Sequence, residues 1–204
     1  MTDTGIFYGT GASEGVPSPF CDCPMCNYAR EHGGKDVRKR SCFRLGRNIM
    51  IDMGPDIFTQ ALQYGSMCDI EHVLITHTHD DHFDFTALGL MSMATHLRTT
   101  PVHFYFSEEG YRFIELLRDS EIAFGGTLRG MEKKGIYAFH KLKYFETYSI
   151  GEYEVTPIRG NHGGNMAKER SANYVLKAKD GTKMLYGMDL SLIHISEPTR
   201  PLYI

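Results

Sequence analysis

No stretch of the 204-residue sequence approaches the roughly 18 consecutive apolar residues that a membrane-spanning helix needs. The opening MTDTGIFYGTGA has neither a basic leader nor an apolar signal core, so a cytoplasmic location is expected. A strong charge of one sign is missing as well. Lys and Arg number 22 against 25 Asp and Glu, a net −3 that offers no basic field to nucleic acid. Repeats and low-complexity tracts are absent, and 42% apolar with 23% charged residues excludes a disordered or collagen-like chain. The five cysteines are an odd number, which does not suit a complete disulfide framework. Three of them crowd into Cys21-Asp22-Cys23-Pro24-Met25-Cys26, and in a reducing compartment such thiols more often hold metal than pair.

What is present reads as a layered α+β domain. Short strands are expected at Ile6–Tyr8, Val73–Thr76, Val102–Phe106 and Tyr153–Ile158. Hairpins are expected at Cys42–Leu45 with Ile49–Ile51, and at Tyr174–Ala178 with Met184–Tyr186 across a two-residue Asp180-Gly181 turn. Pro55–Tyr64 reads as a helix burying Ile57, Phe58, Ala61 and Leu62 and stopped by Gly65. Thr86–Leu97 fits a second helix, with Met91 and Met93 as core filler. Ser107 caps a third that runs to about Arg118, with Glu108 and Glu109 in its first turn. Cys68 reads as packing, Lys35–Arg40 as a solvated basic loop with a possible hold on phosphate, and His72, His96, His103 and His140 as ordinary framework histidines.

The chemistry-bearing stretch is Thr76-His77-Thr78-His79-Asp80-Asp81-His82, three imidazoles and a carboxylate directly after a buried strand. Neutral imidazole nitrogens and carboxylate oxygens are the donors that Zn, Mn or Fe prefer. His77 and His79, two apart, project to one side. Asp81 and His82 follow a turn and face a second position, which suits two cations better than one.

This pattern resembles the metallo-β-lactamase superfamily, whose signature is His-x-His-x-Asp-His after a buried strand, and Asp52-Met53-Gly54 resembles its Asp-x-Gly turn. The resemblance implies an αββα sandwich with two divalent ions, Zn or Mn, at one edge of the sheets. It places His77, His79 and His162 on one ion and Asp81 and His82 on the other. Asp189 would bridge them, and Asp81 would also act on the attacking water. The last expected histidine has no counterpart up to Asp189. Phe7-Tyr8-Gly9-Thr10-Gly11-Ala12-Ser13-Glu14-Gly15-Val16-Pro17, with the cysteines after it, looks like the cyclic-phosphodiesterase branch. That likeness implies a structural Zn on Cys21, Cys23 and Cys26 with a histidine as fourth ligand, for which His32 and Cys42 are alternatives within this chain. The glycine spacing, G-x-G-x-x-x-G followed by Pro17 and Pro19, does not fit a dinucleotide loop.

Leu190 to Arg200, reading LSLIHISEPTR, resembles the translation of a transposase sequencing adapter. Residues 1–189 are therefore expected to be one incomplete domain and 190–204 a non-native tail, with His194 set aside as a ligand. The chain as written is expected to be inactive and to leave an apolar face uncovered. The expected function is hydrolysis of a small phosphodiester, linear or cyclic, by a hydroxide bridging two metal ions. The alternatives are a tRNA 3′-processing nuclease, which would need a basic RNA-binding arm not evident here, and a non-catalytic accessory protein.

Overall fold

Burial follows two different patterns along the strands. Ile49–Ile51 is buried at every residue, whereas Ala172–Lys177 alternates buried and half-buried positions. The first suits a central strand covered on both faces, the second a sheet with one face outward. The computed structural model describes residues 4–93, 99–120 and 127–190. In it β1 (Gly5–Gly9), β2 (Cys42–Leu45), β3 (Ile49–Ile51), β4 (His72–Leu74), β5 (Val102–Ser107) and β6 (Tyr137–Leu142) form a six-stranded sheet in that order. Its first three strands pair antiparallel and β3 to β6 pair parallel. β7 (Tyr148–Ile150), β8 (Tyr153–Arg159), β9 (Ala172–Lys177) and β10 (Lys183–Tyr186) form a second, antiparallel sheet ordered β10-β9-β8-β7.

The helices are α1 (Pro24–His32), α2 (Ile57–Tyr64), α3 (Phe85–Met93), α4 (Glu108–Asp119) and α5 (Leu128–Lys133). Residues of α2 to α5, among them Ile57, Leu88, Ile114 and Met131, share one core with Met50, Val73, Phe104 and Phe139 of the larger sheet. A second core lies between the sheets, where Phe43, Ile51 and Leu74 meet Val155, Tyr174 and Leu176. This is the expected α+β sandwich, with its helix layer on the six-stranded side. A helix layer on the far face of the four-stranded sheet is not seen among the described residues, and Leu185, paired with Val175 on that face, is exposed.

Several local expectations are corrected. The strand before the histidine cluster spans His72–Leu74 and not Val73–Thr76: Ile75 N–H makes the last bond to β5, at Tyr105 O, and the chain then leaves the sheet, Thr76 O accepting from Ala172 N–H of β9. Helix α2 buries Ile57 and Gln60, leaving Phe58 and Leu62 exposed. Its N-cap Asp56 makes no capping bond, since its carboxylate is taken by the Arg40 backbone N–H at 2.7 Å and guanidinium at 2.8 Å. The hairpin joining β9 and β10 closes through a three-residue loop. Ala178 N–H bonds Thr182 O, and Gly181, with φ +87°, supplies the left-handed residue such a loop needs. Met93 and Cys68 are exposed, whereas Met91 does pack on the core. The Lys35–Arg40 stretch is no free loop: Arg38 and Arg40 form bridges with Val16 and Gly11. Helix α1, α5, β6 and β7 were not anticipated. The expected helix past Met93 and His96 falls outside the described residues, as does His194.

Candidate metal centre

Two irregular segments at one end of the sandwich bring the histidines together. The first runs from β4 through His77–His82, where a turn closes by His82 N–H to His79 O at 2.9 Å. The second follows β8 and is pinned by Gly160 N–H to Ser171 O and Ser171 N–H to His162 O. His77 Nε2 and His79 Nδ1 face each other at 3.1 Å, and His162 Nε2 stands 3.4 Å from the same His79 nitrogen. Tetrahedral ligands on bonds of roughly 2.05 Å stand about 3.3 Å apart, so this spacing suits three nitrogens on one cation.

Asp189, just after β10, closes the arrangement. Its Oδ2 lies 3.2 Å from His82 Nε2, 3.5 Å from His77 Nε2 and 3.6 Å from His162 Nε2. Two overlapping donor triads result, His77/His79/His162 and His77/His82/Asp189. Asp81 belongs to neither triad, but its Oδ2 is 3.3 Å from His82 Nε2. All six side chains expected at the site therefore converge.

Ring orientation is set from behind. His82 Nδ1–H donates to Asp52 Oδ2 at 2.7 Å, which turns Nε2 toward the site. Asp52 also accepts from Thr76 N–H at 2.8 Å and from the Thr76 hydroxyl at 2.9 Å. That hydroxyl in turn accepts from His77 Nδ1–H at 3.0 Å, leaving His77 Nε2 as a bare acceptor. Asp52 and Asp189 both hold left-handed backbone, φ +62° and +51°, conformations that non-glycine residues adopt at some cost. The Asp52-Met53-Gly54 turn lies directly on the histidine segment: Met53 N–H bonds His82 O, and a Cβ on Gly54 would stand 2.3 Å from Asp81 O.

The electrostatics fit the same donor set. Burial, reinforced by His82 and His79, pushes His77 down to about 3, so its lone pair is free at neutral pH. Burial alone would depress His82 too, but Asp52, Asp189 and Asp81 overcome it and lift the ring to about 12. The hydrogen bond from His82 holds Asp189 down to about 2, against the effect of its burial. Asp81 is also held below the usual carboxylate range: burial would raise it, but the bond and charge of His82 prevail. Three carboxylates around one ring thus keep a positive charge where a divalent cation would stand, and the free lone pair of His77 lies beside it. The residues present fit a metal centre.

A cleft of about 540 Å³ opens over these groups and is walled on its far side by Ala12, Ser13 and Glu14 of the glycine-rich loop. The glycines there serve chain packing. A Cβ on Gly9 would stand 1.9 Å from Arg40 O, and one on Gly11 2.9 Å from Arg38 O. An adjoining recess is lined by Ser13, Arg40, His79, Asp81 and Asn165. Sequence reasoning missed Thr76, Thr78, Asn165 and Glu169. The last is a buried carboxylate that accepts from Thr78 N–H at 2.8 Å, the Thr78 hydroxyl at 2.6 Å and Met166 N–H at 3.1 Å. Nothing in the polar run Met166-Ala167-Lys168-Glu169-Arg170 marks it as buried.

Away from this centre, the Sγ atoms of Cys21, Cys23 and Cys26 lie within 4.8 Å of one another. Cys23 caps α1 by accepting from Cys26 N–H at 3.5 Å, and that bond, with help from Cys21, holds its thiol down to about 7. Of the suggested fourth ligands, His32 stacks on Tyr28 and Cys42 is buried in the helix-side core, so neither joins the trio.

Among the described residues no helix is long and apolar enough to cross a membrane. A curated octanoyltransferase of Porphyromonas gingivalis (strain ATCC BAA-308 / W83) is 37% identical over 81 residues, which are 38% of this chain and 16% of that protein. A solved diphosphatase of the PhnP family matches at 22% identity and TM-score 0.63, covering 86% of this chain and 62% of that one. Zn-bound PqqB from Methylobacterium extorquens matches at 16% identity and TM-score 0.66, covering 89% and 63%. This chain thus spans less than two thirds of either solved structure, and the likeness to both is one of fold. The model of the β-lactamase superfamily domain matches residues 47–201, and with the two-sheet fold and the solved relatives this shows that the chain belongs to the metallo-β-lactamase superfamily.

Proposed function

We propose that this protein is a metal-dependent phosphodiesterase that hydrolyses a small phosphodiester, linear or cyclic, at a two-cation centre. The observation that carries the reading is the position of Asp189, whose one oxygen stands 3.2–3.6 Å from His82, His77 and His162 and so bridges the two triads. His77, His79 and His162 would hold one ion and Asp81 and His82 the other, with Asp189 shared. His77 Nε2 can serve one ion, which leaves the second short of a ligand within the described residues. When bound, two divalent ions, Zn or Mn, lower the pKa of a water toward neutrality and neutralise charge on phosphoryl oxygens.

The chain's own residues supply orientation and selection. Asp81 is kept ionised and lines the cleft, placed to accept the proton of the attacking water. Arg40 lines the adjoining recess with its guanidinium fixed by Asp56, and a planar fork of donors suits the oxygens of an anionic ester. That cation favours a phosphodiester over a neutral lactam or thioester. The cysteine trio would hold a separate structural Zn, and its free thiols suit a reducing, cytoplasmic setting.

Two measurements test this reading. Metal analysis of the purified 204-residue chain should find ion bound in a manner lost in His79→Ala. The complete reading frame should hydrolyse bis(p-nitrophenyl) phosphate or a cyclic ribose phosphate with added Zn or Mn. A complete protein that binds two ions yet turns over neither ester sinks the phosphodiesterase reading.

A further inference from the structure

The two ligand-bearing segments come from different sheets, and one side chain joins them. Glu169 is 2% exposed and sits beyond His162 in the segment that follows β8. Its Oε1 accepts from Thr78 N–H, the residue between His77 and His79, at 2.8 Å. Its Oε2 accepts from the Thr78 hydroxyl at 2.6 Å and from Met166 N–H at 3.1 Å. Asn165, next to Met166, completes the join: its N–H donates to Thr78 Oγ1 at 3.0 Å and its Nδ2 to Thr78 O at 2.5 Å. Gly164 makes room for the carboxylate, since a Cβ there would fall 2.1 Å from the Glu169 Cδ.

From this geometry we infer that Glu169 is a positioning residue for the metal centre, a clasp that sets where His162 stands relative to His77 and His79. This rests on the metal-centre reading above. A carboxylate serves where an amide does not, because all three groups it meets donate. A glutamine would have to turn an –NH₂ toward Thr78 N–H on one side or Met166 N–H on the other. His162 itself is held by backbone bonds at Ser171, so losing the clasp shifts its segment without unfolding it.

The test uses the 204-residue chain with Co²⁺ as the probe ion. Glu169→Gln is expected to weaken, about 10–100-fold, the ion whose binding His79→Ala abolishes, the range for a lost outer-shell partner. It should also alter the visible absorption of the bound Co²⁺, which reports ligand geometry. In the metal-free variant, hydrogen exchange should quicken at 160–169 and at Thr78 while the β-sheet cores stay protected. Should Glu169→Gln fail to fold, Thr78→Val removes the hydroxyl and keeps the carboxylate, and the same changes are expected at smaller size. Unchanged affinity and spectrum overturn the inference, as does exchange that quickens throughout the molecule. If the parent chain binds no ion at all, the metal-centre reading falls and the positioning role with it. If the parent binds and the variant binds equally well, the positioning role alone falls.

Discussion

The molecule holds two clusters of histidines with similar spacing and opposite surroundings. At the open end, His77, His79, His82 and His162 stand on irregular segments and share their space with Asp52, Asp81 and Asp189. Along β4 to β6, His72, His103 and His140 sit at regular strand positions, with His103 Nδ1 and His140 Nε2 at 2.8 Å and His72 Nδ1 at 3.1 Å from the Tyr105 hydroxyl. There the rings stack on one another and on Tyr105, and among the described residues no ion pair joins them to a carboxylate. Burial and neighbouring imidazoles lower His72 and His140, whereas carboxylates lift His82 to about 12. Close nitrogens alone do not make a cation site; a centre needs anionic oxygens and donor atoms converging from non-repeating backbone.

The comparison breaks most visibly through a ligand. With added Zn or Mn, His79→Ala should cut phosphodiester turnover by roughly 10³-fold, the several kcal/mol of charge stabilisation a cation supplies, whereas His140→Ala should leave turnover within about twofold. Equal losses from both, read by initial rates under saturating metal, would erase the distinction. Next in size is Asp52→Asn. Asparagine tolerates the left-handed backbone at this position, so the change mainly removes the charge facing His82. Ion affinity should fall about 10–100-fold in a metal-buffered titration.

The smallest effect concerns acid. His72 and His140 have folded-state pKa values below their unfolded ones, so their neutral forms favour folding. That contribution is complete above the ordinary histidine pKa near 6.5 and is lost as pH falls below it. The groups facing them are His103, Tyr105 and Glu71, and Glu71 works weakly in the opposite direction. Urea unfolding of the metal-free chain between pH 7.5 and 5 should therefore show a falling stability, and a His72→Phe/His140→Phe pair should flatten that slope. An unchanged slope would assign the acid limb to other groups.

Much of this arrangement could be read from residue order, and the exceptions have physical causes. The His77–His82 cluster is local, so its convergence is visible in a seven-residue window. His162 and Asp189 are single residues, and only the family likeness singled them out. Glu169 was invisible because burial of its carboxylate depends on donors of Thr78, which lies 91 residues away. The N-cap of α4 was found because Ser107 bonds Gly110 N–H within its own turn. The buried face of α2 was misjudged because the neighbouring segment 39–40, not the helix's own apolar spacing, decides which side turns inward; Gln60 Nε2 reaches back to Arg40 O. Strand β6 went unnoticed since no tight-turn dipeptide bounds it, and β7 because it is only three residues long, although the two-residue Gly151-Glu152 turn joins it to β8.

His77, His79 and His82 are carried by the larger sheet, and His162 and Asp189 by the smaller one. A cation seated among them is therefore a rivet through the rim of the sandwich, and its release and the parting of the layers become linked equilibria. At a free concentration a hundred times its dissociation constant it would add about 2.7 kcal/mol to folding, a sizeable fraction of the roughly 5–15 kcal/mol that holds a domain together. Scarcity of the ion would then thin the folded population as well as idle the site.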